Sequence, residues 1–509
     1  MPINFIPNDP MAGIPGGAAA ITISPSRNRP ANRSGWTVHN LPAQAQYAIS
    51  SSQFVAWQAR EAALRAVVAV EAATGPLPGW RGNPSNRRLA LIPFAGQELN
   101  AYYDRASISF FVTRVGGTDV HTGASTDVVA HEAGHAILDA LRPDLWGVNM
   151  MEAGAFHEGF GDIVAIHTAL SDAPTRQILL GIGLRQPNFV EATAEELSDA
   201  IRRVYGAQHP AAGARRGLNT HLWSFPSSLP ANGPPHVLIN EEHSLGQLAS
   251  GVYYDLVCAL FARSNAQDEA ALWAAAIRAL DLVVRGVRAA SIRPRFFEAW
   301  GRAMLVADAQ QFGGAHGADI VAAFGNHGIM IGTQPGFVPR MRLTKPNVRR
   351  SRGKQLMTAG AKSMLRKAMG VAPSERLTER HVTLGEDTLI EMSATRVVDL
   401  TGLSERLQGV QSTVPQPALV ASVDEAPALL GALESEFALS HEVRAYVASL
   451  LAHNSIAFAG DRTPRKKSAM RANAGVVAGT GVTHAVVSRG GGLVLERKAF
   501  ACGCRAHRR

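Results

Sequence analysis

The chain has 509 residues, of which 46% are hydrophobic and 18% are charged, and its formal net charge is +9. This length and hydrophobic content exclude disorder throughout and leave room for two or three domains. Three cysteines, Cys258, Cys502 and Cys504, are too few for a disulfide framework and favour a reducing compartment. The start lacks a basic segment followed by an apolar one, and no apolar run approaches about twenty residues. We therefore expect no membrane span and no Sec-type signal, with a cytoplasmic location or export by another route.

The first 115 residues contain one helical and one strand-like pattern. Residues 1–50 are rich in Pro, Gly, Asn and Ser, which indicates an irregular extension rather than a packed unit. Residues 53–73 repeat apolar side chains at intervals of three and four, which predicts a helix. Residues 100–115, NAYYDRASISFFVTRV, are aromatic and β-branched with partial alternation, which predicts a strand.

Later segments show further helices, a basic stretch and a hairpin. Residues 268–329 have an almost continuous helical pattern. Between residues 340 and 367, ten Lys or Arg occur with no acidic residue. We favour a solvated linker there over a nucleic-acid-binding segment, because aromatic residues do not interleave the charges. The stretch THAVVSRGGGLVLERKAFACGC near the end predicts a hairpin that turns at residues 490–492.

The stretch VAHEAGHAILDAL, residues 129–141, places His131 and His135 four residues apart, with Glu132 directly after the first. Positions i and i+4 share one face of a helix, so both imidazoles can reach one ion, and Ser125 or Asp127 can cap this helix. Glu132 lies to the side, where a carboxylate can reach a metal-bound water. A structural histidine pair is the alternative; we favour zinc because the flanking positions are uncharged.

A catalytic zinc site usually has three protein ligands and leaves its fourth position to water. The stretch GAFHEGFGDIVAIH, residues 154–167, offers Glu158 and Asp162, again four residues apart. One carboxylate can bind the metal while the other accepts the free N–H of a ligating histidine. The alternative is a helix with two solvated carboxylates, but the proximity to the histidine pair favours zinc.

The two motifs together resemble thermolysin and its relatives, the gluzincin metallopeptidases, whose pattern is DVVAHExxH followed by GAxxExxxD. NAYYDRASISFF resembles the substrate-binding edge strand of that family, and EEHSLGQLASGVYYDLV resembles the helix with its transition-state histidine. FFEAWGRAMLVAD and AAFGNHGI resemble its closing helices. The resemblance covers roughly residues 50–332. It implies an α+β fold with two lobes, an N-terminal one with a sheet and the active-site helix and a C-terminal helical one, followed by a smaller mixed region.

With this resemblance the chain divides into six predicted segments. They are an N-terminal extension (1–50), a thermolysin-like zinc peptidase domain (51–334), a basic linker (335–374), an accessory α/β region (375–458), a second basic linker (459–475) and a C-terminal β-hairpin with a CxC tail (476–509).

Carried over by motif position, the resemblance makes His131, His135 and Glu158 the zinc ligands. It makes Glu132 the general base and Asp162 the partner of His131. The carboxylate takes a proton from the attacking water and passes it to the leaving amine.

Residues that would contact the substrate come from three further places. The oxyanion needs a donor, and His243 is the candidate, with His236 as the alternative. Asn100 and Ala101 match the edge strand that binds an extended peptide by strand addition. Arg216 resembles the arginine that contacts the substrate carbonyl, although Arg215 remains open as the match, and a solvated arginine pair is the other interpretation.

The sequence departs from the family pattern at several positions. His157 stands where the family usually has asparagine, which makes it an alternative ligand to Glu158. The tyrosine expected before the glutamate is absent, with Asn149 nearby. Asp127 matches one calcium ligand, but Ala169 stands where another would be a glutamate, so we predict no calcium.

We predict a zinc-dependent endopeptidase that acts on peptide or protein substrates. One alternative is a non-catalytic binding protein that keeps the fold, but the presence of Glu132 opposes it. A second is a metal-dependent hydrolase of other bonds, which the NAYY strand opposes. At the end of the chain, Cys502, Cys504 and His507 offer a weak metal signal, and we expect unpaired thiols there.

Overall fold

The computed structural model describes residues 1–14, 20–332, 359–372, 374–384, 387–421, 428–429, 434–458 and 482–502. Most of the basic run 340–367, the second linker 459–475, Cys504 and His507 lie outside these residues.

The described residues form a mixed α+β structure, as predicted. Their helices are α1 (Ser52–Thr74), α2 (Thr126–Leu141), α3 (Met151–Leu170), α4 (Ala173–Ile182), α5 (Glu195–Tyr205), α6 (Glu242–Ala262), α7 (Glu269–Ala289), α8 (Phe296–Phe312), α9 (Gly317–Asn326), α10 (Ala359–Ala368) and α11 (Glu436–Ala452). The predicted helix at 53–73 is α1, and the helical pattern at 268–329 forms α7, α8 and α9.

The strands are short except in the C-terminal region. They are β1 (Ile3–Phe5), β2 (Ile21–Ile23), β3 (Gly35–Val38), β4 (Arg88–Ile92), β5 (Ala101–Tyr103), β6 (Ser107–Phe110), β7 (Val112–Val115), β8 (Thr118–His121), β9 (Ala192–Thr193), β10 (Arg215–Arg216), β11 (Leu377–Leu384), β12 (Asp387–Asp399), β13 (Val410–Ala421), β14 (Ala428–Leu429), β15 (Ile456–Ala457), β16 (His484–Arg489), β17 (Gly492–Arg497) and β18 (Phe500–Ala501). The single strand predicted at 100–115 is divided into β5, β6 and β7.

Two larger sheets organise these strands. One has five strands in the order β18-β5-β6-β4-β3, so the C-terminal β18 lies at its edge, against β5. The other has the order β11-β12-β13-β17-β16-β15, with β14 also paired to β13. Strands β16 and β17 form the predicted antiparallel hairpin, which turns at Gly490 and Gly491.

Within residues 1–50, the described residues pack against the fold, contrary to the predicted irregular extension. Strand β3 pairs in parallel with β4, and the Phe5 side chain is fully buried in the main core. Strands of three or four residues between Pro- and Gly-rich turns give too little alternation to be recognised in the sequence.

Close crossings of α3 with α2 and α6 bring the site residues together. A Cβ on Gly134 would lie 2.8 Å from the Cα of Gly161, and one on Gly159 would lie 2.4 Å from the carbonyl oxygen of Gly246. A Cβ on Gly161 would lie 2.6 Å from the His131 ring. Glycine at these positions therefore lets the helix backbones approach closely enough for their side chains to share one ion.

The C-terminal region shares the core of the peptidase helices. Tyr446 of α11, Leu495 of β17 and Phe500 of β18 belong to the same buried cluster as α2, α3 and α6. Part of the predicted linker 335–374 is helical, because Leu365 and Met369 pack one helical turn apart against the long-stranded sheet. The six predicted segment boundaries stay predictions.

One described helix, α6, is long and apolar enough to cross a membrane by composition. Its apolar window is 89% buried inside the protein, which is typical of a core helix and makes it weak evidence for a span.

Candidate metal centre

Helix α2 presents both histidines of the HExxH motif to the interior. Ser125 caps the helix, and its Oγ accepts a hydrogen bond from the Val128 amide at 3.2 Å. The rings of His131 and His135 lie 4.7 Å apart between centroids, and both side chains are buried. The expected spacing of one helical turn therefore places two ring nitrogens toward one point.

Helix α3 supplies the carboxylate that faces these nitrogens. Oε2 of Glu158 lies 3.2 Å from Nε2 of His131 and 3.5 Å from Nε2 of His135. Burial alone would raise the pKa of Glu158, but the neighbouring His243 and His135 outweigh burial and hold it well below its ordinary value. The three predicted ligands thus converge on one small volume.

Buried polar atoms without a hydrogen-bond partner indicate that the histidine pair and the nearby carboxylates fit a zinc ion. Nε2 of His135 makes no hydrogen bond to any described residue, although the side chain is fully buried. The side chains of His131, Glu132 and His135 each offer a ligand atom, and these atoms lie within 4.8 Å of one another. Because a buried polar atom without a partner is costly, a bound cation accounts for the arrangement.

Glu132 lies beside the ligands, as a general base must. Its two carboxylate oxygens are buried and have no hydrogen-bond partner among the described residues. Burial raises the pKa of Glu132 well above its ordinary value, and the charge of the nearby Cys502 thiolate adds to the shift.

Asp162 holds His131 in place from behind. Nδ1 of His131 donates to Oδ1 of Asp162 at 2.8 Å, which leaves Nε2 to face Glu158. Nη2 of Arg215 donates to the same carboxylate at 2.8 Å. Burial would raise the pKa of Asp162, but Arg215 and His131 keep it well below its ordinary value.

His157, the alternative ligand, faces a different atom. Its Nδ1 lies 2.9 Å from Nδ1 of His135, the ring nitrogen on the side away from Glu158. Burial, reinforced by the neighbouring His135, lowers the pKa of His157 well below its ordinary value, so its ring is neutral. The geometry favours Glu158 as the ligand and gives His157 the position of a support for His135.

His243 comes to the site from the first turn of α6. Its Nδ1 donates to Oε1 of Glu241 at 2.7 Å, and its Nε2 lies 3.2 Å from Oε2 of Glu158. Burial would lower the pKa of His243, but Glu158 and Glu241 raise it well above its ordinary value, which makes the ring a cationic donor. His236, the alternative, is exposed on the preceding loop.

Of the two candidate arginines, Arg215 lies next to the predicted ligands, and the substrate-binding role given to Arg216 stays a prediction. Arg215 lies on the Asp162 side, whereas Arg216 is about half exposed and pairs with Glu191. Neighbouring residues of a strand point to opposite faces, so only one of the pair in β10 can face the site. The sequence could not show which one.

The edge strand predicted to bind substrate is paired with the chain itself. In β5, Ala101 accepts a hydrogen bond from the Cys502 amide at 2.9 Å, and Tyr102 and Tyr103 are opposite Ala501 and Phe500. Asn100 is buried directly before this strand.

Cys502 is the site residue that sequence reasoning missed. Its side chain is 3% exposed and contacts the rings of His131 and His243. Burial would raise the pKa of the Cys502 thiol, but His131 and Arg215 hold it well below its ordinary value. The sequence predicts unpaired thiols near the end of the chain, and its CxC pattern is the one signal for a metal-binding role of Cys502.

The other departures from the family pattern lie away from the ligands. The Asn149 amide donates to Oγ of Ser412 at 2.8 Å, so it joins the peptidase helices to the C-terminal sheet. Asp127 lies with Asp9 and Glu195 in a second group of carboxylates, and burial raises its pKa well above the ordinary value. Ala169 is buried near the end of α3.

The buried site has two histidines one turn apart on one helix, a glutamate from a second helix and a free glutamate beside them. These features are characteristic of the gluzincin zinc metallopeptidases. Residues 105–333 match the family model of the fungalysin metallopeptidases (M36), a thermolysin-like gluzincin family, which confirms the resemblance. Fungalysin metallopeptidases are zinc-dependent, so zinc is the metal of this domain. No curated protein matches the chain.

Proposed function

We propose that the chain is a zinc-dependent endopeptidase with a thermolysin-like, two-lobed catalytic domain. The observation that carries this proposal is the convergence of His131, His135 and Glu158 from two helices, with Glu132 beside them and outside the ligand set. One lobe contains the five-stranded sheet and α2, and the other contains the helices from α6 onward.

The chain's own groups divide the chemistry between them. Zinc, when bound by the two histidines and Glu158, lowers the pKa of a water and polarises the scissile carbonyl. Glu132 takes the proton from the attacking water and delivers it to the leaving nitrogen. The cationic His243 donates to the oxygen that becomes negative in the transition state.

The substrate would bind as an added strand. Strand β5, with Asn100 before it, offers backbone groups to an extended peptide. The pairing of β18 with β5 supports this proposal, because β18 uses the backbone groups that a peptide would use. We assign the contact with the substrate carbonyl to Arg215 rather than to Arg216, and the bond from Arg215 to Asp162, beside the ligands, supports this assignment.

One observation also supports a non-catalytic binding protein as the alternative. Cys502 lies against His131 and His243, and a permanently seated thiol would leave a zinc site without turnover.

Two measurements test the proposal. Elemental analysis should find about one zinc per chain, with loss in His135→Ala and Glu158→Ala. Full zinc in Glu158→Ala with loss in His157→Ala would reverse the ligand assignment. Digestion of an unbiased peptide library, by the wild-type chain and by Cys502→Ala, should show internal cleavage that a chelator stops. If neither chain cuts any peptide, the alternative is the better account.

A further inference from the structure

The catalytic groups are closed off from solvent. His131 is 1% exposed, Glu132 and His135 are 0% exposed, and Glu158 is 2% exposed. A peptidase needs its water and its substrate to reach these side chains. Among the described residues, Phe500 and Cys502 lie directly against this group, at the end of the last described segment.

This segment occupies the strand-addition edge. Phe500 is opposite Tyr103, Ala501 is opposite Tyr102, and the Cys502 amide donates to the Ala101 carbonyl at 2.9 Å. The antiparallel pairing adds β18 as the fifth strand of the sheet that contains β5. Backbone groups that a peptide substrate would need are therefore already satisfied.

The side chains of the segment alternate as those of a strand do. Phe500 and Cys502 point toward the ligand helices, while Ala501 points the other way and packs with Tyr102 and Phe111. The Phe500 ring stacks on His157 with centroids 3.8 Å apart, and on His135 at 4.8 Å. The stacked Phe500 ring therefore fixes the register of the strand, and this register places the Cys502 side chain at the metal site.

That next side chain is Cys502, a residue type that binds zinc, and it lies beside the predicted zinc ligands. The Cys502 sulfur contacts the His131 and His243 rings, and Nη2 of Arg215 lies 3.9 Å from it. The fully buried Nε2 of His135 points into the same space without a hydrogen-bond partner. Two neutral imidazoles, one carboxylate and one thiolate would balance the charge of Zn²⁺ and complete a closed, four-ligand site.

We infer that Cys502 is the fourth zinc ligand in this state of the chain, and that residues 500–502 keep the peptidase latent. The inference rests on the proposed function, because it assigns a regulator to the same zinc site. The thiol binds as the thiolate and gives its proton to solvent, and it displaces the water that Glu132 would activate. Release of the strand would reopen both the fourth position and the β5 edge.

A buried ion pair anchors the segment to the peptidase helices. Nη1 of Arg497 donates to Oε2 of Glu242 in α6 at 3.2 Å, and Oη of Tyr446 donates to Oε1 of the same carboxylate at 2.7 Å. The Arg497 guanidinium also lies 4.0 Å from the Phe500 ring centroid. Residues 500–502 can thus leave the site while Arg497 stays attached to α6.

Zinc X-ray absorption of the zinc-loaded full chain tests the ligand directly. The wild-type chain should show one sulfur at about 2.3 Å from zinc, and Cys502→Ser should lose it without losing zinc. Cys258→Ser is the matched control, because Cys258 is a buried free thiol in α6, and it should keep the sulfur signal. Absence of sulfur in the wild-type chain, or its persistence in Cys502→Ser, would overturn the inference.

Peptide cleavage provides the second arm. A tethered segment acts at an effective concentration of about 1 mM, so an affinity as weak as about 100 μM would keep the site about tenfold closed. Cys502→Ser and Cys502→Ala should therefore cleave peptides at least about tenfold faster than the wild-type chain, while Cys258→Ser should not. Equal rates in all chains would overturn the latency.

Zinc X-ray absorption and peptide cleavage together distinguish failure of the inference from failure of the proposed function. Sulfur in the wild-type zinc shell together with no cleavage by Cys502→Ser supports the ligand and contradicts the peptidase. Equal chelator-sensitive cleavage by both chains, without sulfur on zinc, contradicts the ligand and supports the peptidase.

Discussion

Replacing Phe500 by alanine should release the C-terminal strand from the metal site while the zinc ligands stay intact. Phe500 is 1% exposed, and besides its contacts with two histidines it meets Trp146 edge-on with centroids 5.4 Å apart. Truncation of a buried phenylalanine costs about 3–5 kcal/mol, and we take the lower value because the contacting rings remain packed by other residues. This cost falls on the seated state alone, since the ring reaches water when the strand leaves.

A loss of about 3 kcal/mol corresponds to about a hundredfold change in the ratio of released to seated strand. The peptide cleavage rate of Phe500→Ala should therefore rise toward the rate of Cys502→Ser, without exceeding it. A continuous assay with a fluorogenic peptide measures this rise, with zinc content checked in parallel.

Phe437→Ala is the matched control, because Phe437 lies in the same C-terminal region, on α11, and is 81% exposed. It should leave the cleavage rate unchanged. The reasoning is refuted if Phe500→Ala remains as slow as the wild-type chain, or if Phe437→Ala accelerates cleavage equally.

Three further changes test the oxyanion donor, the anchor and a buried acid. In a released background, His243→Ala should lower turnover by about a hundredfold or more with little change in KM, because the donor acts mainly in the transition state. Arg497→Met should lower the free energy of unfolding by about 3–5 kcal/mol in urea unfolding, because it leaves the Glu242 carboxylate buried without its cationic partner. Burial raises the pKa of Glu152 to about 7, so the folded chain keeps a proton that the unfolded chain loses above about 4.5. Stability should therefore fall by about 3 kcal/mol as the pH rises from about 4.5 to about 7, and Glu152→Gln should remove this fall.

Each of these changes has its own check. His236→Ala should keep full turnover, and a large loss there would move the oxyanion role to the exposed loop. Arg489→Met, which removes an exposed pair with Glu496, should change stability by less than about 1 kcal/mol. Parallel curves of stability against pH for the wild-type chain and Glu152→Gln would show that this carboxyl does not titrate as described.

The ligand set could be predicted from the sequence because its geometry is local. His131 and His135 are one helical turn apart, and Glu158 and Asp162 repeat the same spacing on the next helix, so each motif fixes its own face. The contact between the two helices came from the family resemblance. Its physical basis, the close approach at Gly134 and Gly161, is visible only in three dimensions.

The C-terminal strand could not be predicted because nothing local encodes it. Arg215 and Cys502 meet across 287 residues of sequence, and a strand of two residues has no measurable alternation. The sequence could not decide between Arg215 and Arg216 for a related reason. Both lie in one short strand, and the partners that separate them, Asp162 and Glu191, come from distant positions.

The most direct measurement of the central claim is peptide cleavage and zinc content in Glu132→Gln, made in the Cys502→Ser background so that no thiolate can occupy the fourth zinc position. The account predicts an unchanged zinc content and an intact fold with no cleavage, because the amide cannot accept the proton of the attacking water. Cleavage at a rate comparable to that of Cys502→Ser alone would contradict it.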